Sequence, residues 1–172
     1  MIPQTLINFM VYDDKGSVTG IADVEMPKLE AMVATIKGNG VSGEVDIPIL
    51  GHYKNMELTL NFRTVTDRSL AFSYNKSHYA DCRGSIQQQD NVTGEVSTVQ
   101  IRVVVKGMPT TYELGKLSMG EANENKLTLS LNYIKVLLNG KQWIELDKYS
   151  NKCIIDGVDL LESVRADLGM TK

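Results

Sequence analysis

Strict alternation of apolar and polar residues is the feature that most narrows what this chain can become. From residue 56 onward, Met56, Leu58, Leu60 and Phe62 alternate with Glu57, Thr59, Asn61 and Arg63. Side chains of a strand point to opposite faces with period two, so this run predicts a half-buried strand with one apolar and one polar face. Thr98–Lys106 repeats the pattern, with Val99, Ile101, Val103 and Val105 opposite Gln100, Arg102 and Lys106, and only Val104 out of step. Tyr79–Gln88 is a weaker version: Ala80, Cys82 and Ile86 against Asp81, Arg83, Ser85 and Gln87. Leu29, Ala31 and Val33 alternate with Lys28 and Glu30 as in a strand, with a helix over Lys28–Lys37 as the alternative, and Leu6–Tyr12 and Val18–Val24 are further strand candidates.

Turn chemistry separates these runs. Asp14-Lys15-Gly16 predicts a turn after the opening strand. Asn91–Gly94 separates two of the alternating strands. Asn139-Gly140, between Leu127–Leu138 and Gln142–Leu146, is the strongest hairpin signal. Asp159–Leu168 predicts a helix: Asp159 and Glu162 have capping-box spacing, Leu160, Leu161, Val164 and Leu168 form an apolar stripe, and Gly169 suits the position after the last turn. A second, short helix is expected near Thr66–Tyr74, capped by Thr66 or Asp67, with Leu70 and Phe72 partly buried. The fold class is therefore mainly antiparallel β, a sandwich or half-barrel, with one or two flanking helices. The 172 residues make one domain, 1–172, with no linker or repeat to divide it.

Residues 38–51 break the pattern. The segment holds Gly38, Gly40, Gly43, Pro48 and Gly51, yet also Val41, Val45, Ile47, Ile49 and Leu50. A long, glycine-rich, apolar loop is poorly suited to water and is expected to pack against something else.

Chemistry is sparse. His52 and His78 are far apart and lack spaced carboxylates or cysteines, so no metal site is expected. Cys82 falls on the apolar side of its strand and reads as a small core residue, and no base accompanies either it or Cys153. Asp13-Asp14 lacks calcium-loop spacing, and the glycines near 38–43 lack the Lys-Ser/Thr of a phosphate loop. Neither catalytic residues nor a cofactor is expected. A formal charge of -3 argues against a protein that grips nucleic acid. No run reaches the roughly 18 apolar residues of a membrane helix, and the start of the chain lacks a basic, then apolar, signal, so folding in the cytoplasm without a membrane anchor is expected. The mixed polar strand faces, Glu57, Thr59, Asn61, Arg63, Asp81, Arg83, Gln87, Gln100 and Arg102, read on their own as the solvated side of antiparallel sheets.

The order of local motifs adds to this. Val24-Glu-Met-Pro-Lys-Leu29 precedes Gly38-Asn-Gly40, then Leu58–Phe62 and Val103-Val-Val-Lys-Gly-Met108. The last third carries Gly120–Lys126, Tyr133-Ile-Lys135, Asn139-Gly-Lys141, Ile144–Asp147, Ile155–Asp159 and Arg165–Gly169. In that order and spacing, over nearly the whole chain, the sequence resembles the major tail tube proteins of contractile-tailed phages and phage-tail-like bacteriocins. Thr64–Lys76 departs from the family, being more polar than its usual helix. The resemblance implies an inert structural protein whose hexameric rings stack into a hollow tube inside a sheath. Its expected partners are copies of itself, the tail sheath, and tape-measure, baseplate and tube-terminating proteins, with DNA passing without specific binding in a phage. After assembly in the host cytoplasm it would end in a virion tail or an extracellular particle. Six subunits giving four strands each, about 4.8 Å apart and tilted about 40°, would close a barrel roughly 45–50 Å across. The polar strand faces would then line an acidic-to-neutral lumen. Gly38, Gly40, Val41, Val45, Ile47, Ile49 and Leu50 would form the stacking loop, and Leu160, Leu161, Val164 and Leu168 an outer helix that either anchors the sheets or meets the sheath. A monomeric β-barrel or sandwich that binds a small ligand, and a secretion-system tube protein, are the competing readings.

Overall fold

The computed structural model describes residues 2–20, 22–38 and 42–170. In chain order the elements are β1 (Ile2–Tyr12), β2 (Ala22–Glu25), β3 (Ala31–Lys37), β4 (Glu44–Tyr53), β5 (Met56–Phe62), α1 (Asp67–Ala71), β6 (His78–Gln89), β7 (Val96–Glu113), β8 (Asn125–Leu138), β9 (Lys141–Asp147), β10 (Lys152–Ile155), β11 (Val158–Asp159) and α2 (Glu162–Asp167). All pairings are antiparallel.

Two long strands organise the molecule. β7 and β8 pair from Ile101↔Leu138 to Glu113↔Lys126. The other edge of β8 is divided: Asn125–Leu131 pairs with β5, and Tyr133–Leu138 with β9. β6 lies on the first half of β7 and β1 lies outside β6, while β2 borders β5. One sheet thus has two halves that share β7 and β8. The ladder shifts register between Lys106 and Gly107, next to the point where the partners of β8 change. Gly107 is required there, because a Cβ would sit 2.3 Å from the Ser130 carbonyl oxygen.

The alternation predicted over 56–63 is seen directly. Met56, Leu58, Leu60 and Phe62 are buried, and their partners across the ladder, Leu131, Leu129, Leu127 and Asn125, are buried too. Ala80, Cys82, Val103, Val105, Ile134, Leu146 and Cys153 from the other half join the same core, so the sheet curls around one apolar interior. Asn139 and Gly140 form the β8–β9 turn with φ of 50° and 78°, both positive as a type I′ turn requires.

Both helices form, with one correction. α1 carries a Thr66 cap with a reciprocal Ser69 bond, and Phe72 is buried whereas Leu70 stays exposed. α2 starts at Glu162, after Leu161, with no side-chain cap. Asp159 is not its cap: it sits in β11, where its carboxylate accepts the Leu161 N–H and the Arg165 guanidinium. The far end matches expectation. The N–H groups of Gly169 and Met170 bond the Ala166 and Arg165 carbonyls, a Schellman closure with Gly169 at φ 67°. The segment after β1 differs as well. After the Asp13–Ser17 turn, only a Tyr12↔Val18 bridge continues the expected hairpin, and β2 leaves to pair with β5.

Candidate assembly surfaces

The expected glycine-rich loop is mostly a strand. Residues 44–53 form β4, which pairs with β3 into a separate two-stranded arm. Val45, Ile47 and Ile49 supply β-branched side chains at alternate positions, and that pattern prevails over the glycines. Residues that face each other across a ladder share a face. Ala34 with Ile47 and Ile36 with Val45 therefore build an apolar face, whereas Thr35 with Asp46 and Lys37 with Glu44 build a polar one. The polar face is internally satisfied: Thr35 Oγ1 donates to Asp46 Oδ1 at 2.7 Å, and Lys37 Nζ to Glu44 Oε1 at 3.4 Å. The apolar face is uncovered, with Ile36 46%, Val45 47% and Ile47 44% exposed. Burying the exposed half of these three side chains is worth about 2–4 kcal/mol. Gly40 and Val41 lie outside the described residues. Gly38 ends the arm's first strand, and Ile49 and Leu50 sit in a kink where Ala31↔Tyr53 shifts to Val33↔Pro48.

The arm's root is fixed in two ways. The Lys54 N–H donates to the Glu30 carbonyl, and the ammonium groups of Lys28 and Lys54 both reach the Glu30 carboxylate. These partners hold the Glu30 pKa down at about 2. Gly51 turns the chain at φ 67°, and a Cβ there would meet the Leu161 side chain at 2.7 Å. Leu161 is buried in the core, and Leu160 and Val164 pack against it. Of the four stripe residues, only Leu168 faces outward, at 63% exposure. Val164 of α2 thus packs on the core, and Leu161 just before the helix backs the arm's root.

Beside β1 lies an open apolar groove of about 450 Å³, lined chiefly by Leu6, Phe9, Val24, Met26, Ile86 and Ile101. Leu6 and Met26 are each half exposed at its rim. The β7–β8 loop is a third uncovered apolar surface, presenting Leu114, Leu117 and Met119. Sequence reading missed both. Leu114, Leu117 and Met119 in a polar turn segment were a visible signal; the groove is made of four separate strands and was not.

The polar strand residues fall into two groups. On β5, Glu57 accepts from Asn55, Thr59 meets Thr128, and Asn61 donates to Glu25, with Arg63 exposed just beyond the strand. On β6 and β7, Asp81 is the centre. Arg83 and Arg102 are directly opposed like charges, reconciled by the one carboxylate between them. Arg83 Nε and Nη2 donate to Asp81 Oδ2 at 3.0 and 2.7 Å, and Arg102 Nε and Nη2 donate to Oδ1 and Oδ2 at 2.9 and 2.8 Å. Burial alone would raise the Asp81 pKa, but the bonds from Arg102 and Arg83 outweigh it and the pKa is lowered. Arg83 also lies over the Tyr12 ring at 4.6 Å. Gln87 donates to Gln4, and the Gln100 carbonyl accepts the Asn139 N–H. β5 neighbours β2 and β8, and β6 neighbours β1 and β7, so the nine residues do not form one patch.

Cys82 and Cys153 are buried free thiols, and burial pushes the Cys82 pKa up to about 12 and raises that of Cys153. His78 bonds the Tyr74 carbonyl and leans on Phe72. Among the described residues, no group of three or more His, Cys, Asp or Glu is placed to hold a metal, and no helix is long and apolar enough to cross a membrane.

Solved structures define the class. A chain in the sheath/tube terminator of an extracellular contractile injection system (PVC, extended state) shares this fold at TM-score 0.52 and 14% identity, covering 80% of this chain and 97% of that one. A chain of the PVC sheath-tube complex matches at TM-score 0.50 and 15% identity, covering 80% and 90%. The fold is thus one found in chains of contractile-injection assemblies. The sequence specifies more. A family model for phage tail tube protein FII matches residues 3–169, and the tail tube protein of Escherichia phage P2 is 28% identical over 177 residues, 98% of this chain and 99% of its relative. The chain belongs to the phage tail tube protein FII family and is a structural tube protein.

Proposed function

We propose that this chain closes into hexameric rings that stack into the hollow inner tube of a contractile tail, with a sheath around it. The observation that carries this reading is the uncovered apolar face of the β3–β4 arm, in a chain of the tail tube family. A monomeric ligand-binding protein has no use for such an arm. In the tube the arm bridges subunits and rings, and the protein catalyses nothing. Subunits fold in the host cytoplasm and end in a virion tail or an extracellular particle, where sheath, tape-measure, baseplate and tube-terminating proteins meet the tube. DNA passes through it if the particle has a head; otherwise the tube pierces a membrane. The channel wall is acidic to neutral overall, in keeping with the chain's formal charge of -3, and Asp81 offsets one of the two charges of Arg83 and Arg102 that it binds. A wall without a surplus of cations does not hold phosphates.

Negative-stain microscopy of the purified chain tests the proposal. Stacked hollow rings of six subunits are expected. The double substitution V45D/I47D should leave a folded subunit, because both side chains are already exposed, and should abolish the tubes. A chain that stays monomeric at high concentration, or tubes that persist in the double variant, would overturn the proposal or the arm's role in it.

A further inference from the structure

We infer, given assembly as proposed above, that the arm of one copy seats its apolar face in the β1–β6 groove of the next copy. The two surfaces match in chemistry: Ile36, Val45 and Ile47 on the arm, and Leu6, Phe9 and Ile86 in the groove. Both are open within a single chain, with Ile47 44% and Leu6 50% exposed. The arm's root is pinned by the Glu30–Lys54 contacts and by Leu161 against Gly51, and beyond it the apolar face stays open. When that face is seated, Thr35, Asp46, Lys37 and Glu44 on the reverse remain in water with their mutual bonds intact.

Arm and groove are different surfaces, so the contact is heterologous: each copy gives one arm and receives another. Such contacts close into rings or continue as helical stacks, and only a reciprocal exchange of arms would stop them at a dimer. Size points the same way. The arm's seven-residue strand β3 spans about 24 Å, and two strands are about 10 Å wide, so one face covers about 240 Å². Counting both sides, one seated arm buries about 500 Å², well under the roughly 1,200 Å² of a stable pair. An isolated dimer is therefore weak, and a copy is held only when it uses its arm and its groove together.

Cysteine trapping tests the seating. The full-length variant L6C/I47C is incubated at tube-forming concentration under mild oxidation and run on a non-reducing gel. Native Cys82 lines the same groove and Cys153 is buried, so the trap is built on a C82A/C153A background whose melting curve is checked first. A ladder of dimers, trimers and higher species is expected, while each single variant stops at dimer. A second variant, Leu6→Trp, fills the groove; the pelletable tube fraction should fall at least tenfold with the subunit's melting curve unchanged. Tubes with no ladder, or undiminished pelleting of the tryptophan variant, would overturn the seating and leave the tube reading intact. If even the unmodified chain gives no tubes, both readings fall.

Discussion

Replacing Asp81 with asparagine isolates the most heavily bonded side chain in the sheet. Asparagine keeps the shape and one acceptor oxygen but removes the charge that two guanidiniums share. Removing one partner of a buried ion pair usually costs about 3–5 kcal/mol, because a charge is left without its counterpart. Here the arginine side chains keep 44% and 37% exposure, so water takes over part of their solvation. We expect a loss of about 2 kcal/mol at pH 7, or about 4–8 °C in Tm for a domain of this size. The pH dependence gives a second reading. The folded Asp81 pKa is lowered, so its contribution is complete above the unfolded value near ~3.9 and is lost as pH falls through the folded value. Urea unfolding of dilute protein between pH 7 and pH 2.5 should therefore show the native chain converging on D81N at the acid end. Comparing the two chains removes the common contribution of Asp90, Glu145 and Asp159, whose pKa values are also lowered. A difference below about 0.5 kcal/mol at pH 7, or one that does not shrink in acid, would refute the account of the cluster.

Other substitutions probe other parts of the fold. Leu58→Ala empties a fully buried position and should cost about 3 kcal/mol, or roughly 10 °C in a melting curve. Gly51→Ala combines a left-handed backbone with a contact onto Leu161, so a loss of about 1–3 kcal/mol is expected, with hydrogen exchange rising first at the arm's root. The buried thiols should resist a thiol-specific reagent at pH 8 until denaturant is added, since only the thiolate reacts; rapid labelling of the native chain would contradict their burial.

Much of the fold was legible because it rests on local chemistry. The alternation from Met56 to Phe62 gave the strand and its buried face, Asn139-Gly140 gave the hairpin, and Gly169 gave the helix end. Family membership was legible in the order of short motifs. What was hidden depended on tertiary context. Thr98–Lys106 read as a complete strand, yet β7 runs on to Glu113, with one register shift at Lys106/Gly107 and another at Pro109/Thr111 against the long partner β8. Asp159 looked like a cap, but Arg165 takes its carboxylate. Four glycines and Pro48 made 38–51 look like a loop and masked the period-two run of Val45, Ile47 and Ile49. The polar strand residues were read one by one from period two, yet Thr59 and Asp81 are buried, and only strand order could reveal that the nine divide into two groups.

The sharing of β7 and β8 between both halves of the sheet has a mechanical consequence. Many two-part β proteins join their sheets through loops, and a load across such a joint opens it like a hinge. Here, besides the connections from β1 to β2 and from β5 to β6, two continuous, mutually paired strands run through both halves. Any bend must distort a ladder running from Ile101 to Glu113, with its hydrogen bonds strained together rather than one after another. A tube made of such units should carry an axial push as a stiff column, and any weakness under load should lie at the joints between subunits rather than within them.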